Sequence, residues 1–211
     1  PTQGRIPAFN PSAGAERPLI SQLMSTQGPL ARDIRDVALG LRAMSSRDPR
    51  DPFWVPAPLD SGPFEKKVLV ADVPDGFVAH PAVLAAVDDA ARMLKDAGYS
   101  VTRGPVPDLS RALALWWTLI GTEMRTLQGY MLEQGSQTMR RVVESYFEIT
   151  GPTTLKDYMA GAAERTGIIR KWLLLLEDVP VILSPLFLRP SLAPDGDLGD
   201  GPFVKKVFDD F

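Results

Sequence analysis

The sequence predicts an α/β fold in which helices pack on a parallel sheet, and three stretches carry that prediction. Residues 67–73 form a short run rich in valine, residues 81–95 repeat apolar positions at helical spacing, and residues 99–102 form a second short β-prone run. A strand, a helix and a strand in that order make a βαβ unit, whose strands are parallel. The continuous apolar character of residues 67–73 further predicts a strand that is buried on both faces.

The N-terminal part of the chain predicts one amphipathic helix between loops. Residues 1–23 are rich in Pro, Gly, Ser and Asn and predict a surface connection with little regular structure. Apolar residues recur at steps of three and four over residues 30–44, which predicts a helix with one buried face. Asp-Pro pairs at 48–49 and 51–52 end it, and the prolines of residues 53–64 predict an extended loop.

The single histidine, His80, precedes Pro81 at the entrance of the helix in the βαβ unit. Proline suits the first helical position. A general base is one interpretation of His80, but no serine or aspartate is arranged around it in the sequence. A structural role at the helix entrance is therefore favoured.

Three helices are predicted between the βαβ unit and the last strand, over residues 108–134, 138–149 and 153–177, with Asp108 or Ser110 as cap of the first. Apolar residues cover more than one face of the first helix, which indicates deep burial or one face on a pocket. Adjacent helical residues point about 100° apart. One of Trp116 and Trp117 is therefore predicted to line an apolar cleft, and core packing is the alternative for each of them.

Residues 178–185 carry the third strand signal, between Pro180 and Pro185. Parallel sheets bind ligands beyond the carboxyl ends of their strands. Leu186 and Phe187, which follow directly, are thus candidates to contact substrate, with a hydrophobic plug as the alternative. Aspartates recur in the next loop without the closing glutamate of an EF-hand, so a solvated acidic turn and the start of a last helix are expected there. These aspartates are Asp195, Asp197 and Asp200.

Composition excludes several function classes. A net charge of −3 over 211 residues gives no basic surface for nucleic acid or for an anionic membrane. The absence of cysteine excludes disulfides and a thiolate nucleophile, and a single histidine argues against a His-based triad. No metal-ligand motif or cofactor motif is present, so no cofactor is expected. No apolar run approaches the roughly 18 residues of a membrane span, and a cytoplasmic location is the expectation.

Two motifs identify a family resemblance. Residues 1–7 read P-T-Q-G-R-I-P, and residues 25–36 read S-T-Q-G-P-L-A-R-D-I-R-D, followed by D-P-R-D-P at 48–52. These motifs, in this order and spacing, resemble the amidase signature family, and the V-I-L-S-P of residues 181–185 fits the family's later strand. The resemblance implies a mixed β-sheet flanked by helices on both faces.

The resemblance also implies a chemistry whose catalytic residues lie outside this sequence. Amidase signature enzymes hydrolyse carboxamide C–N bonds with a serine nucleophile, a second serine in a cis peptide and a lysine, all upstream of the segment matched by residues 1–7. The Ser-Ser pair at 45–46, the Ser-Gly pair at 61–62 and the Gly-Ser pair at 135–136 lie in no Gly/Ser-rich loop, so no catalytic position is assigned. The chain is expected to be one partial domain, inactive alone. It comprises the signature helix and loops (1–64), the strand-helix-strand unit (65–108), the helical substrate side (109–177) and the last strand with the acidic loop (178–211).

Three functions follow as hypotheses. The first is hydrolysis of a small apolar or aromatic amide, with Trp116, Trp117, Leu186 and Phe187 as substrate contacts. Thr26 and Gln27 are the polar residues expected near the cleft. The second is a glutamine-hydrolysing amidotransferase subunit, and the third is a non-catalytic interaction module. The expected partners are the amide and the remainder of the amidase domain, and a homodimer stays open.

Overall fold

The computed structural model describes residues 3–59, 63–196, 198–199 and 201–209, and it divides the chain into two compact units, Pro1–Pro63 and Phe64–Phe211. The elements, in chain order, are α1 (Leu19–Met24), α2 (Ile34–Met44), β1 (Lys67–Ala71), α3 (Pro81–Asp96), β2 (Ser100–Gly104), α4 (Leu109–Thr126), α5 (Gln128–Gln134), α6 (Gln137–Ile149), α7 (Leu155–Asp178), β3 (Val181–Leu183) and α8 (Gly201–Asp209). The α/β class is confirmed.

The described strands form a parallel sheet in the order β2-β1-β3. Residues Val68, Leu69 and Val70 of the central strand β1 are all buried. Because successive side chains of a strand point to opposite faces, both faces of this strand are covered. The predicted βαβ unit and the two-sided burial of its first strand are thus confirmed.

His80 caps α3. Its Nδ1 accepts a hydrogen bond from the backbone N–H of Ala82 at 3.1 Å, and Pro81 occupies the first helical position. This geometry satisfies one of the backbone donors that every helix leaves unpaired at its start. The structural role of His80 is confirmed.

Replacing this cap should cost stability. We expect His80→Ala to lower the free energy of unfolding by about 0.5–1 kcal/mol, because Ala82 N–H loses its acceptor. Denaturant unfolding followed by circular dichroism measures the loss. His80→Ser, which restores a capping oxygen, is the control and should recover most of the stability; equal losses in both variants would contradict a capping role.

Helices α4 and α7 pack closely together. Gly161 on α7 leaves no room for a side chain, since a Cβ there would lie 2.8 Å from Leu115 Cδ1. Arg111 binds Glu164 with two hydrogen bonds of 2.6 Å across the pair. This packing fixes the orientation of α4, on which the predicted tryptophans lie.

The helix predicted over residues 108–134 is two helices, so that prediction is wrong in its extent. Leu127 separates α4 from α5, and its N–H is shared between the carbonyls of Glu123 and Met124, at 3.3 and 3.1 Å. Asp108 stands at the cap position of α4 but has a left-handed backbone with φ 49°, and its side chain makes no cap hydrogen bond. Its carboxylate instead pairs with Lys171 of α7 at 2.5 Å.

The first unit matches the sequence predictions in part. Residues 3–18 contain no helix or strand, as predicted, and are followed by the short helix α1, whose Ile20 is fully buried. Helix α2 begins at Ile34, because Asp33 caps it by accepting from Arg35 N–H at 2.7 Å. No residue of α2 is buried, and Ile34 is 77% exposed, so the predicted buried face is wrong.

The predictions for residues 53–64 and for the last helix agree with the structure. The described residues between 53 and 64 form no helix or strand, as predicted, and Trp54 Nε1 donates to the carbonyl of Ser45 at 3.2 Å. Helix α8 confirms the helix predicted to begin late in the chain. In the acidic loop, Asp195 has a φ of 60°, whereas Asp197 and Asp200 lie outside the described residues.

Candidate functional site

A cavity of about 540 Å³ opens at the carboxyl edge of the sheet. Its walls come from the segments that follow β1 and β3 and from helices α4 and α7, and they are mostly apolar. The lining residues are Ala71, Asp72, Val73, Pro74, Phe77, Val106, Leu109, Ser110, Leu113, Trp116, Trp117, Trp172, Ser184, Pro185, Leu186, Phe187 and Leu188.

The strand order explains why the cavity forms there. Strand β1 ends at Ala71 and its neighbour β3 ends at Leu183, and because the two are parallel their ends meet at one edge. The chain continues from both ends into the cavity wall. On the helical side, Trp172 Nε1 donates to the carbonyl of Pro107 at 2.9 Å, which holds that indole in the wall.

Both predicted tryptophans of α4 line the cavity. The rings of Trp116 and Trp117 meet edge to face with centroids 4.9 Å apart, and Tyr146 packs on Trp117 in the same way at 5.7 Å. Trp116 is 39% exposed. The sequence predicted that one of the two lines an apolar cleft, with core packing as the alternative for each. Both line the cavity, and Trp117 also contacts Tyr146 of α6.

Leu186 and Phe187 also line the cavity, in the segment after β3. Leu186 is 87% exposed and Phe187 is about half exposed. The buried residue of this segment is Leu188, whose carbonyl accepts from His80 N–H at 2.8 Å. The cap of α3 and the wall of the cavity are therefore joined by a backbone hydrogen bond.

Thr26 and Gln27 lie in the other unit. They line a separate cavity of about 20 Å³ together with Gln22 and Asp51, among other residues of that unit. A space of that size holds a water molecule rather than a substrate. Their role at a substrate cleft stays a prediction.

Sequence reasoning missed the polar side chains of the large cavity. Asp72, Ser110 and Ser184 line it, and their side chains make no hydrogen bond to the described residues. The rule that pointed to Leu186 also applies to Asp72, because Asp72 directly follows the last residue of β1. The signal was present in the sequence and was applied to only one of the two strands.

The serines singled out as nucleophile candidates have structural roles where the structure describes them. Ser45 and Ser46 donate to the helix carbonyls of Leu41 and Ala43 at 2.6 and 3.2 Å. Ser136 caps α6 by accepting from the backbone N–H of Met139. The pair at residues 61–62 lies outside the described residues.

A buried polar pair joins α4 to α7 away from the cavity lining. Tyr158 donates its hydroxyl proton to Glu123 Oε1 at 2.8 Å, and Glu123 is buried. Burial, with the hydrogen bond to Glu123 and the charge of Glu123, raises the pKa of the Tyr158 hydroxyl to about 12. This pair holds the two helices together in the protonated form of the phenol.

The fold is that of an α/β protein, and its apolar cavity lies at the carboxyl edge of parallel strands, where proteins of this class commonly bind ligands. The sequence profile of the Amidase family matches residues 1–209, and the chain belongs to that family. The resemblance seen in the motifs is confirmed.

Three named proteins are similar to this chain. The chain is 44% identical to a protein of Bradyrhizobium diazoefficiens named indoleacetamide hydrolase and 43% identical to one of Bradyrhizobium japonicum with the same name, in both cases over 99% of this chain. It is 26% identical, over 92% of its length, to a glutamyl-tRNA(Gln) amidotransferase subunit of Rhodospirillum rubrum. The alignments cover 40%, 45% and 43% of these relatives, so the chain spans less than half of their length.

None of the described helices is both long and apolar enough to cross a bilayer.

Proposed function

We propose that the complete protein hydrolyses the C–N bond of a neutral aromatic carboxamide, and that this chain supplies the pocket for the aromatic group. The observation that carries the proposal is the cavity of about 540 Å³ with three tryptophans in its wall. The names of the two relatives with more than 40% identity support an arylacetamide such as indoleacetamide.

The size and chemistry of the cavity suit that ligand. Small-molecule pockets commonly enclose about 300–1,000 Å³ and combine apolar walls with few polar groups. The edge-to-face pair of Trp116 and Trp117 offers both a ring face and a ring edge to an aromatic ligand. Such aromatic contacts contribute about 0.5–1.5 kcal/mol beyond area burial.

We infer that the reaction itself uses residues from outside this chain. The family resemblance implies that the serine nucleophile, the second serine and the lysine lie upstream of the segment that residues 1–7 match. A serine activated by a neighbouring base attacks the carbonyl, and backbone amides stabilise the oxyanion. The chain alone is then expected to be inactive and to work with the remainder of an amidase domain. Helix α2 exposes apolar residues, among them Ile34 and Leu39, and a partner that covers them would remove this apolar surface from water. A homodimer and a cytoplasmic location stay predictions.

Binding by the purified chain tests the pocket without requiring catalysis. Indoleacetamide should bind, and Trp116→Ala should weaken binding about tenfold or more, because the ligand loses an aromatic wall. Titration calorimetry gives the dissociation constant. Three of the four tryptophans line the cavity, so fluorescence gives a second readout.

Tyr130→Ala is the matched control, since Tyr130 is an exposed aromatic residue of α5 that does not line the cavity. This variant should bind like the wild type. If the wild-type chain binds no aromatic amide, the proposed pocket is wrong and the interaction-module hypothesis gains support.

A second candidate function is the ammonia-generating component of an amidotransferase. The 26% identity to the Rhodospirillum rubrum protein favours it. The cavity offers few polar groups to the amide side chain and charged groups of glutamine, so we rank this function second. Glutamine that displaces indoleacetamide from the chain would reverse that order.

A further inference from the structure

Asp72 stands out in the wall of the 540 Å³ cavity. Among the described lining residues it alone carries a charge, and no lysine or arginine lines the cavity with it. Its backbone is fixed, because its N–H donates to the carbonyl of Gly104 at 2.9 Å. As the residue after β1, the middle strand of the sheet, it lies at the centre of the cavity edge.

The carboxylate of Asp72 is uncompensated by the described residues. It forms no hydrogen bond or ion pair with any of them. Arg103, which lies opposite Val70 on the neighbouring strand, is already paired with Asp88 of α3. Asp72 is exposed, so solvent reaches its carboxylate, but the apolar cavity wall beside it displaces part of the water that would otherwise screen its charge. Its repulsion of a second negative charge is therefore stronger than that of the same pair in bulk water.

We propose that Asp72 is a specificity-determining residue that makes this cavity select uncharged aromatic ligands over aromatic carboxylates. The inference rests on the proposed function, in which the aromatic group of the amide occupies the cavity. Hydrolysis of the amide with one water gives a carboxylate and an ammonium ion. Asp72 therefore disfavours the product that the reaction forms and favours the neutral substrate that it consumes.

The magnitude follows from Coulomb's law. Two like charges about 7 Å apart at an effective dielectric near 40 repel strongly enough to change a dissociation constant roughly tenfold. Screening by salt reduces this repulsion for a pair that solvent reaches. The preference is thus expected to depend on ionic strength.

The test compares indoleacetamide with indoleacetate, which share the ring and differ in charge. Calorimetry on the purified chain should give about tenfold tighter binding of the amide at low salt. Asp72→Asn removes the charge and keeps the shape of the side chain. It should reduce the preference for indoleacetamide to about twofold, mainly because indoleacetate binds more tightly. In the wild-type chain, the ratio of the two dissociation constants should also decrease as the salt concentration rises from about 20 mM to 0.5 M. This measurement needs no variant.

Asp75→Asn is the control, because it removes the same charge from an exposed residue three positions further on that does not line the cavity. This variant should keep the wild-type preference. If both ligands bind but the preference survives Asp72→Asn and high salt, the role of Asp72 is overturned while the proposed pocket stands. If neither ligand binds, the proposed function itself is overturned, and the role of Asp72 with it.

Discussion

Leu119→Ala should lower the free energy of unfolding by about 3 kcal/mol. Leu119 is fully buried in the middle of α4, and it contacts Gly161 of α7, where a Cβ would lie 3.3 Å from Leu119 Cδ2. Truncation of a buried leucine costs about 2–5 kcal/mol, because the transfer energy of the lost atoms is joined by the energy of the cavity left behind. Neighbouring side chains cannot fill this space easily, since the two helix backbones already approach closely at Gly161.

Urea unfolding measures this loss. An unchanged slope of the free energy of unfolding against urea concentration would show that the unfolded state is unaffected. Leu173→Ala is the matched control, because Leu173 lies on α7 and is 59% exposed. It should change stability by no more than about 0.5 kcal/mol. A small effect of Leu119→Ala, equal to that of the control, would contradict the tight packing of α4 on α7.

The sequence predicted the sheet well, for a physical reason. Residues 68–71 carry one uninterrupted apolar run, and such a run has few alternatives when a helix and a second strand follow at the βαβ spacing. The role of His80 at the entrance of α3 was equally readable, because a cap needs only one local acceptor. Local patterns thus predicted the parts of the fold that local interactions determine.

Predictions that depended on contacts between residues far apart in the sequence were less accurate. The periodic stripe of α2 predicted burial, but periodicity does not say whether a partner surface is present, and α2 has no buried residue. The end of α4 at Thr126 depends on a shared hydrogen bond at Leu127, which no residue type there announces. For the site, Trp116, Trp117, Leu186 and Phe187 were found from helix geometry and strand ends, whereas Trp172 reaches the cavity only through the packing of α7.

Tyr158→Phe should lower the free energy of unfolding by about 1–2 kcal/mol at neutral pH. The variant removes the hydroxyl that donates to Glu123 at 2.8 Å, and a buried carboxylate that loses a donor keeps the cost of its desolvation. The aromatic ring and its packing remain. The effect is therefore assigned to the hydrogen bond and not to lost volume.

The same pair predicts a pH dependence with a definite sign. In the unfolded chain the phenol of Tyr158 titrates near its ordinary pKa of about 10, whereas in the folded protein its pKa is raised to about 12. Between these values the unfolded state binds fewer protons, so the contribution of Tyr158 to stability is complete below pH 10 and declines as the pH rises toward 12. The stability difference between the wild type and Tyr158→Phe should shrink across that interval.

Unfolding measured at several pH values from about 8 to 11.5 gives this difference directly, and it cancels the titration of the other groups. Tyr130→Phe is the control, on an exposed tyrosine whose hydroxyl has no partner among the described residues, and it should give no difference at any pH. A difference for Tyr158→Phe that stays constant up to about pH 11.5 would show that the phenol does not hold its proton against Glu123. The hydrogen bond of this pair would then not contribute to the contact between α4 and α7.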